Sequence, residues 1–200
     1  AWFETVAEKQ YTRNLLFSTV FELMTEVVFR QQPSVNAAYQ ARSAHIGVSV
    51  SSVYNKLNGL EPAVTAGLVN FASDQAGALI EQLGGAKPPP LPGWRMKVLD
   101  GNWLGGREHR LKELRALSGT PLPGKSVAVF DPALELFTDL FPCEDAYTQE
   151  RALLSAVVNT VQAGELWLGD RNFCTRGFIE QVVERQAALR QVHGLAVIEQ

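Results

Sequence analysis

The sequence has few cysteines and no long apolar run. Its two cysteines, Cys143 and Cys174, are far apart and show no CxxC spacing, which indicates neither a disulfide framework nor a zinc site. No apolar run approaches the about 20 residues needed to cross a bilayer, and no signal peptide is recognisable. We therefore expect a protein of a reducing cytoplasm with no membrane partner.

An excess of positive charge is also lacking, since the net charge is −3. Taken over the whole chain, this value gives no support for nucleic-acid binding. The charges are unevenly distributed, however: residues 94–125 hold seven Lys or Arg against three Asp or Glu, and residues 126–200 hold five against eleven. A basic segment beside an acidic one fits a protein that holds a polyanion next to a cation site. It fits ordinary surface variation equally well.

The remaining composition is that of a globular protein. The 200 residues are 46% hydrophobic and 20% charged, and this length allows one large domain or two small ones. The sequence begins with alanine, and Leu195–Gln200 stops within a strand-like run. We expect the chain to be part of a longer protein.

The first third of the chain is predicted to be helical. Apolar residues recur at helical spacing over residues 2–31, and Pro33 ends the pattern. Residues 35–42 predict a short helix, residues 46–49 a glycine-containing turn, and residues 50–58 a second helix closed by Gly59. This arrangement is typical of a helix-turn-helix motif, whose second helix presents its N-terminal residues to the major groove. Two short helices of an ordinary all-α domain would give the same pattern.

The candidate DNA contacts of this motif are polar side chains that can hydrogen-bond phosphates or base edges. They are Ser49, Ser51, Ser52, Asn55 and Lys56.

A proline-rich segment divides the sequence. An amphipathic helix over residues 61–83 is followed by two glycines and then by four prolines within five positions, which neither a helix nor a central strand accommodates. We predict a helical N-terminal DNA-binding region over residues 1–86, a linker over 87–93 and a second domain over 94–200.

The second domain is predicted to be α/β, a mixed sheet with helices on its faces. Short strands are expected at residues 96–99, 126–131, 134–141 and 166–168, with a tight turn at Asp131-Pro132. Helices are expected at residues 147–162 and 176–190, and a further strand is expected to begin at residue 195.

Two aspartates follow apolar strand-like runs in this domain. Asp100 follows Val98-Leu99, and Asp170 follows Leu166-Trp167-Leu168-Gly169. Carboxylates at the ends of neighbouring strands suit the two Mg²⁺ ions of phosphodiester chemistry, which lie about 3.5–4 Å apart. Gly101 and Gly169 would let a backbone or a phosphate approach closely. Each aspartate alone is also typical of a turn or a helix cap.

Other acidic patterns carry less chemistry. Asp131 beside Pro132 is a turn signal, and Asp139 is expected to alternate outward, so we interpret both as structural. A haloacid-dehalogenase-type phosphatase would need its nucleophilic aspartate at position 98, which is Val98. Its later acidic motif would fall at residues 174 and 175, which are not acidic.

The sequence resembles DDE-class insertion-sequence transposases, whose catalytic domain is ribonuclease-H-like. The matching segments are Val98–Asn102, Arg107–Arg115, Ser126–Asp131 and Leu168–Phe173, together with the upstream segments Arg30–Tyr39 and Ser49–Leu57. They occur in the family's order and extend over nearly the whole chain.

The resemblance implies a ribonuclease-H-like mixed sheet and an enzyme that hydrolyses DNA at transposon ends and joins the freed 3′-hydroxyl to target DNA. Asp100 and Asp170 match the first two acids that bind Mg²⁺ or Mn²⁺. The third acid, a glutamate on a later helix, has no match; Glu180 and Glu184 follow Asp170 too closely, and Glu199 ends a strand-like run. The partners implied are double-stranded transposon ends and target DNA, with a homodimer in the full-length protein, in the nucleoid-containing bacterial cytoplasm.

Basic residues near both aspartate segments are further candidate DNA contacts. The stretch after Asp100 is either a phosphate-tracking segment or a solvated loop, and it contains Arg107, His109, Arg110, Lys112 and Arg115. Arg171 either touches substrate phosphate or balances the carboxylate of Asp170. We expect a DNA transposase whose present piece alone is inactive. The alternative is a catalytically incomplete DNA-binding remnant or a regulator of transposition.

Overall fold

The computed structural model describes residues 2–8, 14–104, 124–143 and 148–192. By packing, the chain divides into two compact units, Ala1–Val64 and Thr65–Gln200. The division falls ahead of the proline-rich segment at which the sequence placed the domain boundary. It does so because a long helix, from Thr65 onward, packs with the later unit: the Asn70 side-chain amide donates to the carbonyl of Thr138 at 2.7 Å. The role of residues 87–93 as a linker stays a prediction.

The described residues before position 95 form helices joined by turns and irregular segments. They are α1 (Trp2–Val6), α2 (Phe17–Val28), α3 (Val35–Arg42), α4 (Val50–Asn58) and α5 (Pro62–Gln82). The single helix predicted over residues 2–31 is wrong, because Leu16 has extended backbone at φ −74° and ψ 152° and α2 starts only after it. The later three helices lie where they were predicted. None of the described helices is long and apolar enough to span a bilayer.

The first unit has an apolar core beneath α2, α3 and α4. Val20, Leu23, Ala38 and Val53 are among its most deeply buried side chains. The Tyr39 hydroxyl donates to the Val48 carbonyl at 2.8 Å, which ties α3 to the turn before α4. These contacts fix α4 and its exposed N-terminal residues in one orientation on the unit.

The second unit contains a five-stranded mixed sheet. Its strands are β1 (Arg95–Leu104), β2 (Gly124–Asp131), β3 (Leu136–Cys143), β4 (Glu165–Gly169) and β5 (Ala188–Gln191). The spatial order is β3-β2-β1-β4-β5. Strands β1 to β3 are antiparallel neighbours, whereas β4 pairs parallel with β1 and β5 pairs parallel with β4. The predicted fold class, a ribonuclease-H-like mixed sheet preceded by a helical region, is confirmed.

Helical segments supply the connections to the parallel strands and cover one face of the sheet. They are a 3₁₀ helix at Glu150–Leu153, α6 (Leu154–Val158) and α7 (Arg176–Glu184). The covered face is apolar: Leu99, Val129 and Trp167 of the sheet are buried in one cluster with side chains of α6 and α7. Because side chains alternate along a strand, Asp100 lies on the face opposite to Leu99.

Two predicted helices are shorter than expected. The helix expected over residues 147–162 is a 3₁₀ helix followed by five residues of α6. The helix expected over residues 176–190 ends at Glu184, because Gln186 has a positive φ of 59° and residues 188–191 pair with β4 instead. The strand expected from residue 195 lies outside the described residues.

Candidate metal-binding edge of the sheet

Parallel pairing of β1 and β4 brings Asp100 and Asp170 to one edge of the sheet. The last residue pair in this register joins Leu99 to Gly169, and each aspartate is the next residue in its chain. Neighbouring strands lie about 4.8 Å apart, so the two backbones carry their aspartates to adjacent positions. The sequence separation of seventy residues is thus closed by strand pairing.

Asp100 does not end its strand, which corrects the expectation from the sequence. Strand β1 continues to Leu104 through its antiparallel pairing with β2, in which Asp100 lies opposite Ala128. Only the parallel pairing with β4 stops before Asp100. The side chain of Asp100 is exposed, as a cation ligand at a sheet edge must be.

Asp170 organises the loop after β4. Its Oδ1 accepts hydrogen bonds from the backbone N–H groups of Asn172 at 2.7 Å and Phe173 at 3.3 Å. These bonds fold residues 171–173 into a turn beside the edge, and Phe173 is fully buried beneath it. The turn role that the sequence also allowed for Asp170 is therefore present, and its side chain is half-buried.

The 3₁₀ helix contacts strand β1 next to Asp100 and the turn after Asp170, and the sequence predicted neither contact. A Cβ built on Gly101 would lie 2.7 Å from the carboxylate carbon of Glu150, so this carboxylate packs against the backbone after Asp100. The Arg151 Nε donates to the carbonyl of Asn172 at 3.0 Å. No local pattern marks these residues, because their partners lie far away in sequence.

Two clefts open at this edge. One, of about 370 Å³, is lined by Lys125, Gln149, Glu150, Arg151 and Asn172. The other, of about 870 Å³, is lined by Arg151, Asp170, Arg171, Asn172, Cys174, Thr175 and Gln191. Arg171 is exposed beside Asp170, as either of its two proposed roles requires.

Carboxylate oxygens are the ligands that Mg²⁺ prefers, and Asp100 and Asp170 directly follow the last residue pair of β1 and β4. Within the described residues, no three His, Cys, Asp or Glu side chains form a group that could hold a metal ion. Glu150 lies on the face of Gly101, opposite to that of Asp100. The role of Asp100 and Asp170 as metal ligands stays a prediction.

Burial and the charge of Asp170 both raise the pKa of the Cys174 thiol, burial more strongly. The thiol is half-buried and donates to the carbonyl of Asp170 at 3.4 Å. Cys174 is consequently held in its neutral form and serves as a local probe of the Asp170 charge.

The two other aspartates of the sheet have structural contacts. Asp131 is fully buried, and its Oδ1 caps the turn before β3 by accepting from the Ala133 N–H at 2.9 Å. Asp139 does not point outward as expected. It is half-buried, and its Oδ1 accepts from the Asn70 amide at 2.9 Å.

The candidate DNA contacts in the first unit lie at the start of α4. Ser49 is its N-cap and accepts a hydrogen bond from the Ser52 N–H at 3.3 Å, so this serine has a structural role. Ser51 and Asn55 are exposed, and Ser52 is half-buried. Lys56 lies 5.3 Å from the centroid of the Phe3 ring, and burial lowers the pKa of its ammonium group.

The remaining candidate contacts lie outside the described residues. They are Arg107, His109, Arg110, Lys112 and Arg115.

Comparisons with known proteins give structural matches alone. No protein-family model matches the chain, and no curated protein is similar to it in sequence. Similar solved structures include a pre-cleavage Mos1 transpososome, at 10% identity and a TM-score of 0.32 over 92% of this chain. They also include a piggyBac transposase synaptic complex with hairpin DNA, at 12% identity and a TM-score of 0.37 over 94% of this chain. The chain spans 62% and 39%, respectively, of those two chains.

Proposed function

We propose that the chain is part of a DDE-class transposase that hydrolyses DNA at transposon ends and joins them to target DNA. The observation that supports the proposal is the register of β1 and β4, which pairs Leu99 with Gly169, the residues that directly precede Asp100 and Asp170. Metal-assisted phosphodiester chemistry needs such a pair of rigidly placed carboxylates at a surface that a duplex can reach.

The roles of the two aspartates follow from their positions. Asp100, on the exposed face of β1, and Asp170, in the turn after β4, would hold Mg²⁺ or Mn²⁺. When bound, the metal would supply charge stabilisation at the reacting phosphate and activation of the attacking oxygen. The chain's own part is to place the carboxylates, through the β1–β4 pairing and the turn that Asp170 closes.

The partner in this proposal is double-stranded DNA. The start of α4 would contact it through Ser51, Ser52, Asn55 and Lys56, with Ser49 fixing the helix. Arg171 would contact phosphate beside Asp170, and Arg107, Arg110 and Lys112 remain proposed contacts. We further propose that the full-length protein is a homodimer located with the bacterial nucleoid in the cytoplasm.

The test separates metal binding from cleavage. Mn²⁺ binding, followed by electron paramagnetic resonance, should weaken at least ten-fold in Asp100→Asn and in Asp170→Asn. Asp74→Asn, an exposed position on α5, is the matched control and should bind as the parent chain does. Equal Mn²⁺ affinity in all four proteins would overturn the proposed site.

Cleavage is then tested on duplex DNA with Mg²⁺ or Mn²⁺. Nicking that is lost in Asp100→Asn would support a catalytically active piece. DNA binding without nicking would instead support the alternative, a catalytically incomplete remnant or regulator that competes for transposon ends. Failure to bind any duplex at low salt would overturn both functions.

A further inference from the structure

We propose that Arg151, together with Lys125, binds the phosphodiester backbone of a DNA strand beside Asp170. The inference rests on the proposed function and adds a substrate-binding site to it. Three observations support it: a guanidinium held in place, its hydrogen-bonded connection to the Asp170 loop, and a cleft that carries a second cation.

The Arg151 guanidinium is held at two points. Its Nε donates to the Asn172 carbonyl at 3.0 Å, and one terminal nitrogen donates to the Asn172 side-chain oxygen at 3.3 Å. These bonds use two of the five N–H donors of an arginine, and the side chain is exposed. A guanidinium that is already oriented loses less entropy when it binds a phosphate than a freely rotating one does.

Asn172 connects this cation to the candidate metal site. The Asn172 N–H donates to Asp170 Oδ1 at 2.7 Å, while the carbonyl and the side chain of the same residue hold Arg151. A cation and a carboxylate are therefore fixed to one short turn. Phosphoryl-transfer sites need this combination, because a cation must neutralise the substrate phosphate that the carboxylates would otherwise repel.

The two clefts contain further cations beside Arg151 that could contact a DNA strand. Arg151 and Asn172 line both clefts, so the cleft at Asp170 and Arg171 shares these two residues with the cleft at Lys125. Lys125 is half-buried, and its Nζ donates to the carbonyl of Thr148 at 3.3 Å. This bond occupies one of the three ammonium donors. Arg151, Arg171 and Lys125 are thus the cations of the two clefts, and Glu150 and Asp170 are their acidic residues.

The test measures binding of a labelled duplex by the full chain in EDTA, so that metal chemistry does not contribute. Affinity is measured between about 50 and 200 mM NaCl, because log K falls as log salt rises. Each phosphate contact makes this slope steeper by roughly 0.9. Arg151→Ala should make the slope shallower by about that amount, and Lys125→Ala should also make it shallower. Arg151→Lys, which keeps the charge, should restore the slope.

Matched controls lie away from the clefts. Arg185 follows α7 at the edge where β4 and β5 begin, and Lys87 pairs with Glu135 on the exposed surface. Arg185→Ala and Lys87→Ala should leave the slope unchanged. Asn172→Ala should weaken binding without changing the slope, because it frees the guanidinium but keeps its charge.

The outcomes separate the inference from the proposed function. If the parent chain binds duplex DNA but Arg151→Ala behaves like Arg185→Ala, the inference alone is overturned. If the parent chain binds no duplex, both are overturned. Thermal unfolding of each variant checks its fold. If Arg151→Ala unfolds early, Arg151→Gln, which can keep a hydrogen bond to Asn172 without the charge, replaces it under the same criterion.

Discussion

Replacing Asp131 by asparagine tests the ion pair that fixes β1 against β2. Asp131 is 0% exposed, and Lys97 is 6% exposed. Asp131 Oδ2 accepts from Arg95 Nε at 2.9 Å and lies 3.2 Å from Lys97 Nζ. Asparagine can still cap the turn through one oxygen, but it turns an amide NH₂ group toward two cations. Lys97 is then left as a buried charge whose carboxylate partner is gone.

The expected cost is about 3 kcal/mol in the free energy of unfolding. Removing one partner of a buried pair costs about 3–5 kcal/mol. The lower end applies because Arg95 is half-exposed and can recover water, and because Lys97 Nζ keeps the Thr138 hydroxyl at 3.3 Å. Urea unfolding at pH 7, followed by tryptophan fluorescence, measures the loss. Asp74→Asn is the exposed control and should change stability by less than about 0.5 kcal/mol.

The pKa of Asp131 determines how the stabilisation by this ion pair depends on pH. Burial alone raises the pKa of Asp131, but the hydrogen bonds and charges of Arg95 and Lys97 outweigh it and hold this pKa below its usual value. The stabilisation is therefore complete above the unfolded-state pKa of about 3.9 and is lost as the pH falls through the lower folded-state value. The gap between the parent chain and Asp131→Asn should be constant from pH 7 to about 5 and shrink below about 4. A gap under about 1 kcal/mol at pH 7, or one that persists in acid, would refute this account.

Three further changes test the structure around the site. Thr175→Ala should cost about 1 kcal/mol in urea unfolding, because the Thr175 hydroxyl caps α7 by accepting from the Phe178 N–H at 3.3 Å; an unchanged midpoint would contradict the cap. Leu99→Ala, at a fully buried position, should cost about 2–5 kcal/mol by the same assay, whereas Val183→Ala, 60% exposed on α7, should cost under about 0.5. In a Cys143→Ser background, alkylation of Cys174 should show an apparent pKa above that of a free thiol, and Asp170→Asn should lower it. A Cys174 pKa that is unchanged in Asp170→Asn would contradict the contribution of the Asp170 charge, because burial alone would then raise it.

Local signals predicted the elements that the structure confirms. Ser49 and Gly59 bound α4: the Ser49 side chain caps the first turn, and Gly59 follows the last helical residue as the C-cap. The alternation of Val127 and Val129 marks a strand with one buried face, and both residues are fully buried. Asp170 directly follows β4, as the apolar run before it predicted, whereas its metal-binding role stays a prediction.

Features that depend on distant contacts were not predictable. The apolar spacing of α7 continues past Glu184, so the sequence does not show that residues 188–191 leave the helix to pair with β4. Asp139 alternates in sequence as an outward residue, but its neighbour across the fold is Asn70, sixty-nine positions away. The position of the Arg151 side chain likewise depends on its hydrogen bonds to Asn172, which lies 21 positions away in sequence.

Gly101 is a position where a distant contact changes the interpretation of the glycine after Asp100. The sequence suggested that glycine after Asp100 leaves room for a phosphate or a backbone. The structure places the Glu150 carboxylate there, within 2.7 Å of any added Cβ, so the space is filled by the chain itself. The carboxylate ends a flexible side chain, and an added methyl group would therefore displace Glu150 rather than the strand. Adjacent residues of one 3₁₀ helix thus contact both candidate positions: Glu150 packs against strand β1 at Gly101, and Arg151 binds the turn after Asp170 through Asn172. A rotation of this helix would change both contacts together, although the helix lies between the two aspartates in sequence.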